Sequence, residues 1–173
     1  MDSVNVADGR PVQRWIAVPV ALVIAVAIQS SLLAYFPVLG AQPELALLVA
    51  LAVAFEEGPE WGAISGFFAG LLIDLLGVIP LGISALSYSI VCYAVGSIGK
   101  HRIANQIQEI GIAGAATIVA QLIVLSLAFL IGQGTRGVTV VQILVTGVYN
   151  TLLATLVLPA MHWLLNLHGR RAQ

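Results

Sequence analysis

The chain has 173 residues and a formal net charge of −1, and 60% of its residues are hydrophobic while only 9% are charged. A soluble domain carries roughly 25% charged residues, so this composition excludes a water-soluble globular protein and predicts an integral membrane protein. The near-neutral charge gives no indication of nucleic-acid binding, and the single cysteine, Cys92, excludes a disulfide framework within the chain. Its apolar runs are continuous and do not alternate with period two, which predicts membrane helices and not a β-barrel.

The first predicted helix follows a polar N-terminal tail, residues 1–14, and covers Trp15–Phe36. No cleavage site of small residues follows this apolar run, so we expect an uncleaved first span. The second predicted helix is Pro43–Phe55. Pro43 and Glu44 suit a helix start, because proline lacks the amide donor that would be unpaired there and glutamate complements the helix dipole.

Four further apolar segments predict helices, and short polar or glycine-containing turns separate them. These segments are Trp61–Leu76, Leu81–Ile98, Ile107–Ile131 and Val138–Leu167. The basic segment Lys100–Arg102 is expected to be a loop, and Pro159 lies inside the last helix. The fold class predicted is therefore an all-α bundle of six transmembrane helices over residues 15–167, followed by a C-terminal tail at residues 168–173.

The basic residues predict the orientation of this bundle. With six spans, both termini lie on one side, together with Arg10, Arg14, Lys100, Arg102, Arg170 and Arg171. Arg136 alone falls on the other side. Because cytoplasmic loops carry the excess of lysine and arginine, we expect both termini in the cytoplasm.

The second predicted helix is short for a membrane span. Thirteen residues at about 1.5 Å each reach about 20 Å, against an apolar core of about 30 Å. Local thinning of the bilayer or shielding by neighbouring helices would accommodate it. A re-entrant hairpin with the third helix is disfavoured, because it would bring the glutamates of the segment Glu56–Glu60 into the membrane.

Two helices carry small residues at every fourth position. On the third helix these are Gly62, Gly66 and Gly70, and on the first helix they are Ala17, Ala21 and Ala25. Residues four apart share one helix face, and small side chains let another helix approach closely in lipid. Either face could therefore receive a partner protein's helix, or could pack within the bundle itself.

Asp74 continues the glycine series of the third helix as its only acidic residue within the apolar run. A carboxylate at such depth should face protein or water and not lipid. It could be a proton or cation site. Alternatively, it could accept hydrogen bonds from backbone amides of the turn Gly77–Gly82, which contains Pro80, or from Ser84 and Ser87.

Further polar residues punctuate the helices, among them Asn150 beside Tyr149 in the sixth helix. With Gln29, Ser30 and Gln121, these side chains could line a cavity. They could equally form hydrogen bonds between helices, which contribute about 1 kcal/mol or less each.

Enzyme chemistry finds little support. The segment Gly62–Gly66 resembles the Gly-x-Ser-Gly sequence of a rhomboid-type intramembrane protease but misses its spacing by one residue, so Ser65 and His162 make a weak pair. No cysteine, histidine or acidic cluster has metal-ligand spacing, and there is no phosphate-binding loop. We therefore expect no catalytic, cofactor-binding or metal-binding residues.

The segment from Pro43 to Gly82 resembles the bacterial rod shape-determining protein MreD family. The features it shares with that family are a Pro-acid pair opening a short apolar helix, a charged turn, a glycine-striped helix and a final glycine-proline turn. They are Pro43-Glu44, Pro59-Glu60, Leu71-Leu-x-Asp74-Leu-Leu, Gly77-x-x-Pro80-Leu-Gly82 and the following Ala85-Leu86.

This resemblance implies a non-enzymatic scaffold subunit of the cell-elongation complex in the bacterial cytoplasmic membrane. It implies a single-span partner, MreC, and through it the actin-like MreB, the peptidoglycan synthase RodA and a class-B penicillin-binding protein. It also implies a fold similar to the six-helix substrate-binding subunits of energy-coupling-factor (ECF) vitamin transporters. The alternative function is therefore such a vitamin-binding subunit, with a ligand pocket at the extracytoplasmic end.

Overall fold

The computed structural model describes residues 12–31, 40–77, 80–102, 105–133 and 138–167. The six regular elements in these ranges are all α-helices, in agreement with the all-α part of the predicted fold class. In chain order they are α1 Val12–Ser31, α2 Leu45–Glu57, α3 Pro59–Leu76, α4 Ile83–Arg102, α5 Gln106–Leu130 and α6 Val140–Leu167. The predicted tails, residues 1–14 and 168–173, lie outside the described residues apart from the first three residues of α1.

Several helix boundaries differ from the predicted ones, and two of the differences reassign named residues. Glu44 does not lie in the first turn of α2 but immediately before it, as the N-cap residue whose carbonyl oxygen accepts from the Leu48 amide at 3.2 Å. At the other end of the bundle, α4 continues through Lys100–Arg102, which the sequence analysis had assigned to a loop. Gly99 directly follows Ile98, but a helix tolerates one glycine at a cost of about 1 kcal/mol. No proline follows that would force the helix to end there.

The short helix α2 lies at the centre of the bundle. Every residue from Leu45 to Phe55 is buried, and α1, α3, α4, α5 and α6 all pack against it. A helix that is apolar on all sides is stable only where it is enclosed, and this enclosure explains why α2 has no polar face.

The remaining helices present large apolar side chains outward. Leu130, Val140, Leu152 and Leu156 are each more than 60% exposed. Three helices are long and apolar enough to cross a membrane, namely Pro59–Leu76, Gln106–Leu130 and the Val140–Leu164 part of α6, and α1 and α4 contain shorter apolar stretches, Ala17–Ser31 and Ile83–Ile98. Exposed apolar surface of this extent suits a lipid environment and would promote aggregation in water.

The closest helix pair is α3 with α4. A Cβ atom placed on Gly66 would lie 2.6 Å from the Tyr88 carbonyl oxygen, and one on Gly70 would lie 2.4 Å from that of Ser84. These separations leave room for hydrogen atoms only, so the glycines set the distance between the two helices.

Candidate functional site

A network of polar side chains surrounds the N-terminus of α2, and we call this end of the bundle the Glu44 end. Asn150 Oδ1, on α6, accepts a hydrogen bond from the Glu44 amide at 2.9 Å. The Asn150 side-chain amide in turn donates to Thr117 Oγ1, on α5, at 3.0 Å. Asn150 and Thr117 are both completely buried, so this chain of bonds fixes α2, α5 and α6 to one another.

Gln29 secures the same terminus from α1. Its Oε1 atom accepts from the Ala46 amide at 3.2 Å. The first amides of a helix have no partner within the helix, so side chains from α1 and α6 satisfy two backbone donors at the start of α2. Gln29 and Asn150 therefore act as caps supplied by neighbouring helices, while the side chain of the N-cap residue Glu44 makes no capping bond.

The Glu44 carboxyl group is only partly satisfied. Gln121, on α5, donates from Nε2 to Glu44 Oε1, and Tyr88 approaches the same carboxyl group from α4. Glu44 Oε2 is buried and has no hydrogen-bond partner among the residues that the structure describes. A buried acceptor without a partner costs about 1–3 kcal/mol, and more if it is charged.

A cavity of about 320 Å³ opens beside this carboxyl group. Five of the six helices and the segment before α2 contribute to its wall. The lining residues are Gln29, Gly40, Ala41, Gln42, Pro43, Glu44, Ile73, Tyr88, Gln121, Val138, Gln142, Ile143 and Thr146. Of the polar residues that the sequence analysis considered for a cavity, Gln29 and Gln121 line it, whereas Ser30 is exposed and donates to the Ala27 carbonyl oxygen.

Gln142 and Thr146 belong to the cavity wall but were missed by the sequence analysis. Gln142 also completes a capping box at the start of α6, since Thr139 N donates to Gln142 Oε1 at 2.9 Å and Gln142 N donates to Thr139 Oγ1 at 3.3 Å. The Thr-x-x-Gln spacing could have revealed this cap. Its position beside Glu44 could not be inferred, because it depends on which helices are neighbours.

Asp74 lies at the same end of the bundle, where it caps α4. Its Oδ2 atom accepts from the Gly82 amide at 2.8 Å, and the carboxylate also accepts from the amides of Ser84, at 3.1 Å, and Ala85, at 3.3 Å. Gly82 has a φ of +104°, a left-handed conformation that favours glycine. Asp74 is 3% exposed. Its hydrogen bonds match the second alternative of the sequence analysis, in which the carboxylate accepts from backbone amides of the turn and of α4. Pro80 precedes this turn and is half-buried.

A second cluster occupies the opposite end of the bundle, which we call the His162 end. His162 Nε2, on α6, lies 3.6 Å from a carboxylate oxygen of Glu56, at the end of α2, and 3.6 Å from one of Glu109, in the first turn of α5. The sequence analysis placed His162 away from Asp74 but did not pair it with these glutamates. Protonation of the imidazole would turn both contacts into ion pairs.

The glycine stripe of α3 is not an open face. Gly62, Gly66 and Gly70 are all buried, and Cβ atoms on them would meet Ala54 of α2 or the backbone of α4 within 2.6 Å. Of the two alternatives for this stripe, the structure shows the second, because the three glycines pack against α2 and α4 within the bundle. The proposed docking of a partner helix on this face is therefore corrected, since α4 already fills it.

The alanine stripe of α1 points largely inward as well. Ala25 belongs to the core, and Ala21 packs against it, while Ala17 is half-buried. The open face of α1 instead carries Val20, Val23, Ile24 and Ile28. Branched side chains of this size do not offer the close approach that suggested this stripe.

An open small-residue face does occur on α5. Gly111 and Ala115 are exposed, and a Cβ atom on Gly111 would meet nothing within 4 Å. Leu122 and Ser126 continue the same outward face. The sequence does not reveal this face, because α5 contains both Gly111 and Gly114 and their spacing does not show which one is open. The packing shows that Gly114 faces Thr151 of α6.

The protease alternative receives no support from the geometry. The Ser65 hydroxyl group donates to the carbonyl oxygens of Gly62, at 3.0 Å, and Ala50, at 3.4 Å. The His162 ring lies instead beside Glu56 and Glu109. The structure therefore does not bring Ser65 and His162 together.

Comparison with protein families gives a match over nearly the whole chain. The model of the family described as rod shape-determining protein MreD matches residues 10–168. No curated protein and no solved structure matches significantly.

Proposed function

The chain belongs to the MreD family of rod shape-determining proteins, and from this membership we propose that it is a non-enzymatic scaffold in the membrane complex that directs cell elongation. The family match over residues 10–168 carries the proposal, because it covers all six helices. The family is one of shape-determining structural proteins and not of enzymes.

The proposed partner is a single-span MreC-like protein. MreB, RodA and a class-B penicillin-binding protein would be linked to the scaffold through that partner. Nearly all described residues lie in helices, so a partner would be recognised chiefly through helix faces within the bilayer. Association of membrane helices depends on close packing at small residues, since lipid offers no hydrophobic driving force between them.

We place the docking face on the outward side of α5, around Gly111 and Ala115. These residues are exposed and four apart, and the space beyond Gly111 is open. This location replaces the α3 stripe, whose glycines already contact α4 and Ala54.

Orientation forms part of the proposal. With both termini in the cytoplasm, the His162 end would be cytoplasmic and the Glu44 end extracytoplasmic, in accord with the distribution of basic residues. All six helices would span the bacterial cytoplasmic membrane, and α2 would do so within a shell formed by the other five.

The scaffold proposal is tested by affinity purification of the tagged full-length protein from its native membrane, followed by mass spectrometry. We expect an MreC-like protein together with synthase components. The Gly111→Leu variant should reduce the MreC-like signal at least about tenfold by filling the docking face. Ala94→Leu is the matched control, because it adds similar bulk to an exposed position of α4.

The outcomes separate the scaffold from its docking face. An unchanged MreC-like signal in Gly111→Leu would contradict the choice of α5 but leave the scaffold in place. The absence of any MreC-like protein from the wild-type sample would contradict the scaffold itself.

One observation favours the alternative function, a substrate-binding subunit of an ECF-type vitamin transporter. The cavity at the Glu44 end has several convergent polar side chains, as ligand sites do. The same purification distinguishes the two functions, since a transporter subunit would bring a coupling protein and paired ATPases.

A further inference from the structure

We propose that the cavity at the Glu44 end binds a primary ammonium group, held by the Glu44 carboxylate. The cavity holds several polar groups and a buried, unpaired acceptor, Glu44 Oε2. This inference goes beyond the scaffold function and does not depend on it.

The residues that line the cavity carry one acidic but no basic side chain. Glu44 is the only acidic residue lining the cavity, and no lysine, arginine or histidine is among the lining residues, all of which the structure describes. An ionised carboxylate without a counter-ion is costly at such a site, so acids within membrane proteins pair with cations or mark ligand pathways. A cation bound in the cavity would supply the counter-charge that the Glu44 side chain lacks among the lining residues.

The start of α2 is poorly suited to bind an anion. A helix N-terminus attracts anions through its free backbone amides. Here the amides of Glu44 and Ala46 already donate to Asn150 and Gln29. The N-terminus of α2 therefore offers few free donors, while the carboxylate repels negative charge.

Hydrogen-bond direction also favours an ammonium group. An ammonium group carries three N–H donors and no acceptor. The Glu44 carboxylate would accept one of them, and Thr146 and Gln121, which also line the cavity, each carry a side-chain oxygen that could accept another. A quaternary ammonium group has no N–H donor, so the cavity should distinguish the two.

A ligand could reach the cavity between α1 and α6. The α1 and α6 helices both pack against α2 but make little contact with each other in the described ranges. Gln29 of α1 and Thr146 of α6 both line the cavity, which therefore lies between two helices that make few contacts with each other. An ammonium group could enter there as the headgroup of a lipid such as phosphatidylethanolamine, or it could arrive on a soluble amine.

The test is native mass spectrometry of the full-length protein in detergent, with lipids that share acyl chains and differ in headgroup. We expect phosphatidylethanolamine to be retained at least about tenfold more than phosphatidylcholine or phosphatidylglycerol, the difference that a charged hydrogen bond provides. Glu44→Gln should abolish this preference, because the amide keeps the shape but not the charge.

Three controls make the result specific. Glu60→Gln removes an exposed carboxylate at the His162 end and should leave the preference intact. Glu44→Asp keeps the carboxylate and should retain part of it, which separates loss of charge from loss of folding. Comparison with free ethanolamine separates the two sources: binding of the free amine as tight as that of phosphatidylethanolamine would assign a soluble amine, and much weaker binding would assign the lipid headgroup.

Three outcomes would overturn the proposal. The first is equal retention of the three lipids by the wild-type protein, and the second is a preference that survives Glu44→Gln. The third is a preference that emerges only in Arg136→Gln, since the chain's own guanidinium group would then be the cation that Glu44 holds. Co-purification of an MreC-like protein is a separate measurement, so failure of this site would not be confused with failure of the scaffold.

Discussion

Two acidic side chains at the Glu44 end have different surroundings and therefore different roles. Asp74 is saturated by three backbone amides, those of Gly82, Ser84 and Ala85, and stabilises a turn. Glu44 has one oxygen paired and one unpaired beside a cavity. A saturated carboxylate is a structural element, whereas an unsaturated one retains capacity for a ligand.

Replacement of Asp74 tests its structural role. Asp74→Ala should lower the stability of the folded protein by about 1–3 kcal/mol, because it leaves the first amides of α4 without their acceptor. The stability of Asp74→Asn should lie between those of Asp74→Ala and the wild type, since the side-chain oxygen of asparagine can still accept a hydrogen bond. Thermal unfolding in detergent measures the effect, with Glu60→Ala as the exposed acidic control. Equal unfolding temperatures for all variants would contradict the role of a cap.

Asn150 is predicted to be equally important for stability. Asn150→Ala would orphan the Glu44 amide and remove the bond to Thr117, at a cost of about 1–3 kcal/mol. Thr155→Ala provides the control on the same helix, because its exposed hydroxyl group bonds only to the nearby Leu152 carbonyl oxygen. The comparison is again made by thermal unfolding, and a smaller loss for Asn150→Ala than for Thr155→Ala would refute the prediction.

At the scale of the helices, the sequence predicted what each element is but not what each element touches. The apolar runs gave six helices with most ends within three residues of the structure. The glycine spacing on α3 correctly indicated a close helix approach, yet it could not identify α4 as the neighbour. Small-residue spacing has the same pattern on an internal and an external face, so only the packing distinguishes Gly70 from Gly111.

Alanine substitutions at these two glycines should have opposite effects. Gly70→Ala would place a methyl group 2.4 Å from the Ser84 backbone, which forces α3 and α4 apart and costs about 1–3 kcal/mol. Gly111→Ala meets open space and should stabilise α5 by up to about 1 kcal/mol through helix propensity. Unfolding temperatures and elution profiles of the two purified variants test this directly, and a destabilised Gly111→Ala would show that its surroundings are not open.

At the scale of the molecule, the central position of α2 explains how so short a helix fits in the bundle. A helix that contacts only protein need not match the bilayer thickness, because its neighbours replace lipid along its sides. The polar cavity lies at its N-terminus and is lined by the residues just before α2, from Gly40 to Glu44. The sequence suggested Gln29 and Gln121 as cavity residues, but it could not place them beside Thr146, because residues so distant in the chain meet only through helix packing.

This architecture also makes the orientation of the chain measurable. Cys92 is completely buried, so it should not react with a membrane-impermeant maleimide. Gln42→Cys would introduce an exposed thiol at the Glu44 end, and Glu60→Cys would introduce one at the His162 end. The excess of basic residues near the termini predicts that intact cells label Gln42→Cys and that Glu60→Cys reacts only after permeabilisation. The reverse pattern would place the cavity on the cytoplasmic side. It would also confine any amine that reaches the cavity to the inner leaflet or the cytoplasm.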